Sequence, residues 1–157
     1  MNDMNCKKII EVLKSDFGSL WHCFNRGESL EFVTPFLYPD KKFVSIFITT
    51  RGKRIIVSDG GQLSEFIKAA TDDEAFQTAI LGKFKDSYGV EKFPQKQRGE
   101  FYFKECADPK LISSVVFDLG NFISSASSAA VLAVTEEEAL ERKSFRTKAG
   151  SGRKNKC

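Results

Sequence analysis

From Phe43 to Thr49 the letters FVSIFIT alternate. Successive side chains of a strand point to opposite faces, so Val44, Ile46 and Ile48 share one side and Phe43, Ser45 and Phe47 the other. A lone strand leaves its backbone groups unpaired, so this run needs neighbours. The flanking sequence supplies them. Leu20 to Asn25, Leu30 to Thr34 and Arg54 to Ser58 also read as strands. Arg26-Gly27-Glu28 and Arg51-Gly52-Lys53 read as tight turns, and Pro35 and Pro39 punctuate a loop, FLYPDK. The expectation is an antiparallel meander of four strands. Val90 to Pro94 and Glu100 to Lys104 add a short hairpin with an exposed basic tip, QKQRG.

Helical spacing surrounds these strands. Cys6, Ile9, Ile10, Leu13 and Phe17 recur at intervals of three and four, with Asn5 or Asp3 as cap and Gly18 as stop. Leu63, Phe66, Ile67 and Ala70 give a short helix face. Asp72-Asp73-Glu74 suits the positive end of the next helix dipole, and that pattern runs to Tyr88-Gly89. Asp108-Pro109 is a helix start, with Asp as cap and Pro in the first turn. Leu111, Ile112, Val115, Val116, Leu119, Phe122, Ile123, Ala126 and Ala130 then mark a long apolar face. Gly120 inside it costs up to about 1 kcal/mol relative to Ala, which close packing would explain. The small-residue stretch Ser124 to Ala130 suits packing on the sheet or on a second copy, and is a candidate homodimer contact; a groove floor is the alternative. At Thr135 the helix either continues or restarts, with Glu138 completing a capping box. The fold class is α+β, with the sheet covered on one face by the N-terminal and the long C-terminal helices.

Composition limits function. The 157 residues suit one domain, read as 1–141, and 41% are hydrophobic. Fifteen Phe imply a substantial core. No run of apolar letters approaches the roughly 20 residues that span a bilayer, and the N-terminus lacks a signal-peptide pattern. The chain therefore reads as cytoplasmic. Cys6, Cys23, Cys106 and Cys157 form no CxxC pair and read as reduced thiols, the first three at least partly buried. With His22 the sole histidine, no zinc ligand set emerges, and no cofactor is implied. Net charge is +3, but residues 142–157 carry seven basic residues and no acid. Residues 1–141 hold 17 basic against 21 acidic, a balance of −4. The basic stretch reads as a flexible tail, disordered beyond Lys148.

Three chemistries compete. A metal-dependent nuclease needs clustered acids, commonly with a Lys; the candidates are Asp59 with Glu65 and Lys68, with Glu31 and Glu105 joining only if the fold gathers them. Nucleic-acid contact could use Lys41, Lys42, Lys96, Arg98, Arg142, Lys143, Arg146 and Lys148. Trp21, Phe24, Phe32, Phe43 and Phe47 could supply stacking, although Phe in alternating strands is usually core. The same basic residues could equally meet a protein. His22 and Cys23 are adjacent on a strand and face opposite ways, so they make no catalytic pair. Gly60-Gly61-Gln62 lacks the Lys and Ser/Thr of a phosphate loop.

The order of motifs over residues 5 to 90 resembles the prokaryotic and phage family known as domain of unknown function 1828. Its carriers are the first amphipathic helix, a strand ending in Thr34-Pro35-Phe36, the loop with Asp40, the FVSIFI strand, and Ser58-Asp59-Gly60-Gly61 followed by Leu63. The resemblance implies a small α+β domain from a bacterial or mobile-element source. It implies no activity and no catalytic residues. The leading expectation is a non-enzymatic binding protein that regulates or inhibits a protein partner, such as a host defence component. The contact regions expected are Phe36 to Lys42, Gln95 to Arg98, and the segment from Arg142. The alternatives are a nucleic-acid-associated protein and a nuclease centred on Asp59.

Overall fold

In the computed structural model, which describes residues 5–95 and 99–151, the four expected strands are β1 (His22–Asn25), β2 (Leu30–Leu37), β3 (Phe43–Arg51) and β4 (Arg54–Ser58). The hairpin is β5 (Glu91–Gln95) and β6 (Gly99–Cys106). The helices are α1 (Cys6–Ser19), α2 (Gln62–Ala70), α3 (Glu74–Tyr88) and α4 (Ile112–Ser151). All six strands join one antiparallel sheet in the order β1-β2-β3-β4-β6-β5. The fold is α+β.

Strand parity divides the sheet into two faces. Phe32 pairs with Ile46, Ile48 with Val57, and Ile55 with Cys106, so these residues share the inner face. Val44, Ile46 and Val57 are fully buried there beneath Leu119, Phe122, Ile123 and Ala126 of α4. Leu63 and Ile67 bring α2 into the same layer. α3 packs on α4, where Tyr88 Oη lies 3.4 Å from Ser125 Oγ.

β2 runs through Pro35, where a loop was expected. Pro35 has no N–H for the ladder, and the register shifts between Val33 and Leu37. The buried Thr34 bridges the break. Its hydroxyl donates to Val44 O at 2.8 Å and accepts from Phe36 N at 3.2 Å. Phe36 is thereby aimed at α4, where a Cβ built on Gly120 would lie 2.6 Å from its ring. Trp21 and Phe117 close around that ring, with centroids 6.4 and 5.5 Å away. Close packing is thus the reason for Gly120.

Several expectations need correction. Cys6 and Cys23 are exposed, and only Cys106 of the described cysteines is buried. α4 continues through Thr135 to Ser151, the first of the two alternatives, so residues 142–151 of the basic tail have a helical backbone, including 149–151, where disorder was expected. Thr135 is no cap: its hydroxyl donates to Val131 O at 3.1 Å inside the helix. One 18-residue window of this helix reaches a mean hydropathy of 1.4, enough by composition to cross a bilayer, but half of the window is buried. Scattered Ser, Gly and Ala hide it from a search for unbroken apolar letters. α1 begins as expected, with Asn5 Oδ1 accepting from Lys8 N, yet none of its residues is buried.

Gly120→Ala tests the notch. Helix propensity alone would favour Ala by about 1 kcal/mol. The clash with Phe36 should reverse the sign and destabilise the protein by about 1–2 kcal/mol in denaturant unfolding. A variant at least as stable as the parent would contradict the packing described.

Candidate functional site

The turn after β4 is the first place to look for chemistry. Asp59 is fully buried. Its Oδ1 accepts from Gly61 N at 3.1 Å and from Tyr102 N at 2.9 Å, and its Oδ2 accepts from Leu63 N at 3.0 Å. Its own N–H donates to Tyr102 O at 3.0 Å. One side chain therefore continues the β4–β6 ladder and satisfies free N–H groups at the start of α2. Burial pushes the carboxyl above its usual range, while the three N–H groups pull the other way. Ser58 Oγ accepts from Gly60 N at 3.0 Å. Gly60 and Gly61 both have positive φ, and a Cβ on Gly60 would lie 2.5 Å from the Phe47 ring.

The other nuclease candidates do not join Asp59. Glu65 and Lys68 are exposed on α2. Glu31 is held by Arg26 at 2.7 Å and by the Ser45 hydroxyl at 2.9 Å. The Arg26 hydrogen bond is the main reason its carboxyl lies below the usual value. Glu105 pairs with Arg54. Among the described residues no group of three His, Cys, Asp or Glu could hold a metal. His22 is exposed in β1.

The basic candidates fall on separate elements. Lys41 and Lys42 are exposed in the β2–β3 turn, where Lys41 has φ 67° and Lys42 pairs with Asp40 at 3.8 Å. Arg142, Lys143 and Arg146 are exposed on α4. Lys96 and Arg98 lie outside the described residues, and Lys148 is placed only as part of the α4 backbone. The Ser124–Ala130 stretch is largely used inside the chain, with Ala126, Ser127 and Ala130 buried. A polar cleft of about 400 Å³ opens between α2, α3 and the hairpin, lined by Ser64, Lys68, Glu74, Lys85, Lys92 and Glu100. Lys92 and Glu100 pair across it at 2.6 Å, so much of its charge is internally balanced.

The apolar surface is the larger feature. Phe122 alone of the fifteen Phe is buried. Phe24, Val33, Phe47, Ile56, Phe101 and Phe103 share the outer sheet face by register. Phe43 and Phe93 extend it and are 61% and 53% exposed. The described helices that pack on the sheet do so from the inner side, so none of them covers this face. A second apolar face runs along α1, where Ile9, Ile10, Leu13 and Phe17 are each exposed by 41–49%. Between α1 and the start of α4 lies a groove of about 400 Å³ lined by Ile10, Leu13, Phe17, Trp21 and Phe117. Contiguous apolar surface on this scale marks interaction sites.

Sequence reasoning placed Phe43 and Phe47 opposite Val44, Ile46 and Ile48, but treated the rings as core. The available signal was that only one side of FVSIFIT can face the helices.

Replacing Asp59 measures the turn's structural role. Asp59→Asn keeps Oδ1 but sets an NH₂ against Leu63 N–H, and should cost about 1–3 kcal/mol. Asp59→Ala orphans three donors and should cost more. Urea titrations showing Asp59→Ala as stable as the parent would refute that role.

No protein-family model, curated protein or solved structure matches the chain.

Proposed function

We propose that this chain is a non-catalytic, cytoplasmic binding protein that acts through a protein partner, as a regulator or inhibitor of the kind encoded by phages and mobile elements. The observation that carries the reading is the uncovered outer sheet face. A face with Phe43 and Phe93 more than half exposed leaves apolar area in water, and covering it is worth about 25 cal/mol per Å². Aromatic residues are enriched at protein interfaces and dominate their energetics. Arg26 with Glu31 and Arg54 with Glu105 place mixed charges on the same face. That pattern suits a polar rim around a protein contact, whereas a nucleic acid asks for an excess of positive charge. The buried, fully bonded Asp59 turns the reading away from a nuclease. The setting in a mobile element follows the resemblance carried by Thr34-Pro35-Phe36 and Ser58-Asp59-Gly60-Gly61.

The test uses Phe43→Ser combined with Phe93→Ser. Both side chains are exposed, so the change in stability should stay near 0.5 kcal/mol per site. Binding to a partner recovered by cross-linking in the source cells should weaken at least about tenfold. Undiminished binding would reject the sheet face as the contact. Steeply salt-dependent binding of DNA or RNA, lost when residues 142–157 are removed, would favour the nucleic-acid alternative.

A further inference from the structure

The far half of α4 adds little to the core of the protein: Ala133 and Val134 are half-buried, and the described side chains after them are exposed. Among the described side chains, Ala130 is the last buried one of the helix. A helix of 40 residues is about 60 Å long. A domain of this size has a radius of gyration of roughly 14 Å, so the end of α4 beyond Val134, where the described side chains are exposed, projects from it. Val131, Val134, Thr135, Glu138, Arg142 and Phe145 recur at spacings of three and four, and so form one stripe along the projection. Phe145 is 78% exposed and Val131 36%. Neither Glu138 nor Arg142 has an ion-pair partner among the described residues.

We propose that two copies of this chain pair the projecting halves of α4 antiparallel, about a two-fold axis level with Leu140. The charge order along the stripe selects the occupant and its direction. An antiparallel copy centred there sets Glu138 against Arg142 of the second copy, and Arg142 against its Glu138. The same register lays Phe145 over Thr135 of the second copy. The Thr135 hydroxyl is already bonded to Val131 O, so its methyl is free to meet the ring. A parallel copy would stack Glu138 on Glu138 and Arg142 on Arg142, which like-charge repulsion opposes. The relation is isologous, as two-fold symmetry requires. It uses a different surface from the outer sheet face and stands independently of the function proposed above. It also moves self-association away from Ser124–Ala130, which is packed internally.

The seam is short, so the dimer belongs among weak, reversible interfaces. Sedimentation equilibrium on the full chain at about 100 μM, well above a micromolar Kd, should show a dimer. Glu138→Arg places Arg against Arg at both contacts, and Arg142→Glu places Glu against Glu. Each should raise the Kd at least about tenfold. All the substituted side chains are exposed, and circular dichroism checks that each fold is intact. Mixing the two single variants restores both opposite-charge contacts and should yield the heterodimer, as should the double variant Glu138→Arg/Arg142→Glu alone. A monomeric parent would overturn the proposal. So would single variants whose Kd, fitted across a dilution series, matches the parent's, or a mixture that fails to recover the parent's affinity.

Discussion

The carboxylate of Asp59 is the junction on which the rest of the structure depends. It accepts N–H groups from the turn, from the first residues of α2 and from β6, and is itself removed from water. Residues 59 and 102 are far apart in sequence, so this single side chain locks the meander to the hairpin. Their backbones exchange a further bond through Asp59 N–H and Tyr102 O. An unmet donor in so buried a place costs more than an ordinary hydrogen bond contributes. The glycines serve the same junction. Gly60 lies under Phe47 of the neighbouring strand, and Gly61 enters α2 in a left-handed conformation. What resembles a site for chemistry is a well-bonded corner of the scaffold.

A second junction couples the sheet to α4. Thr34 substitutes its hydroxyl for the bond that Pro35 cannot make, and Phe36 enters the notch at Gly120. Thr34-Pro35-Phe36 and Ser58-Asp59-Gly60-Gly61 are therefore both architectural. They position the outer sheet face and the projecting helix, which carry the apolar surface left over after folding.

Much of the framework was legible in the sequence because it is written in local periodicity. The alternation in Phe43–Thr49 gave the strand, Gly27 and Gly52 gave the hairpin turns, and Asn5 gave the start of α1 as its cap. The acids Asp72-Asp73-Glu74 marked the start of α3, where Asp73 proves to be the cap. Asp108 caps the short 3-10 turn Pro109–Leu111 that leads into α4. The continuation of β2 past Pro35 was hidden because it rests on the tertiary bond from Thr34 to Val44. The exposure of Phe43, Phe93 and Phe117 was hidden for a different reason. Periodicity says which residues share a face, but the faces that remain uncovered depend on how many helices the chain supplies and where they lie. The role of Asp59 was only half visible. Its helix-capping part is local, whereas its bond to Tyr102 spans the sheet.

Native-state hydrogen exchange at three amides tests the central claim most directly. If Asp59 is the scaffold's junction, the N–H groups of Gly61, Leu63 and Tyr102 should be protected to the level of global unfolding, although Gly61 lies in a turn. Fast exchange at Gly61 and Leu63, with Tyr102 protected by the sheet alone, would contradict the account and return the turn to the status of an adaptable loop.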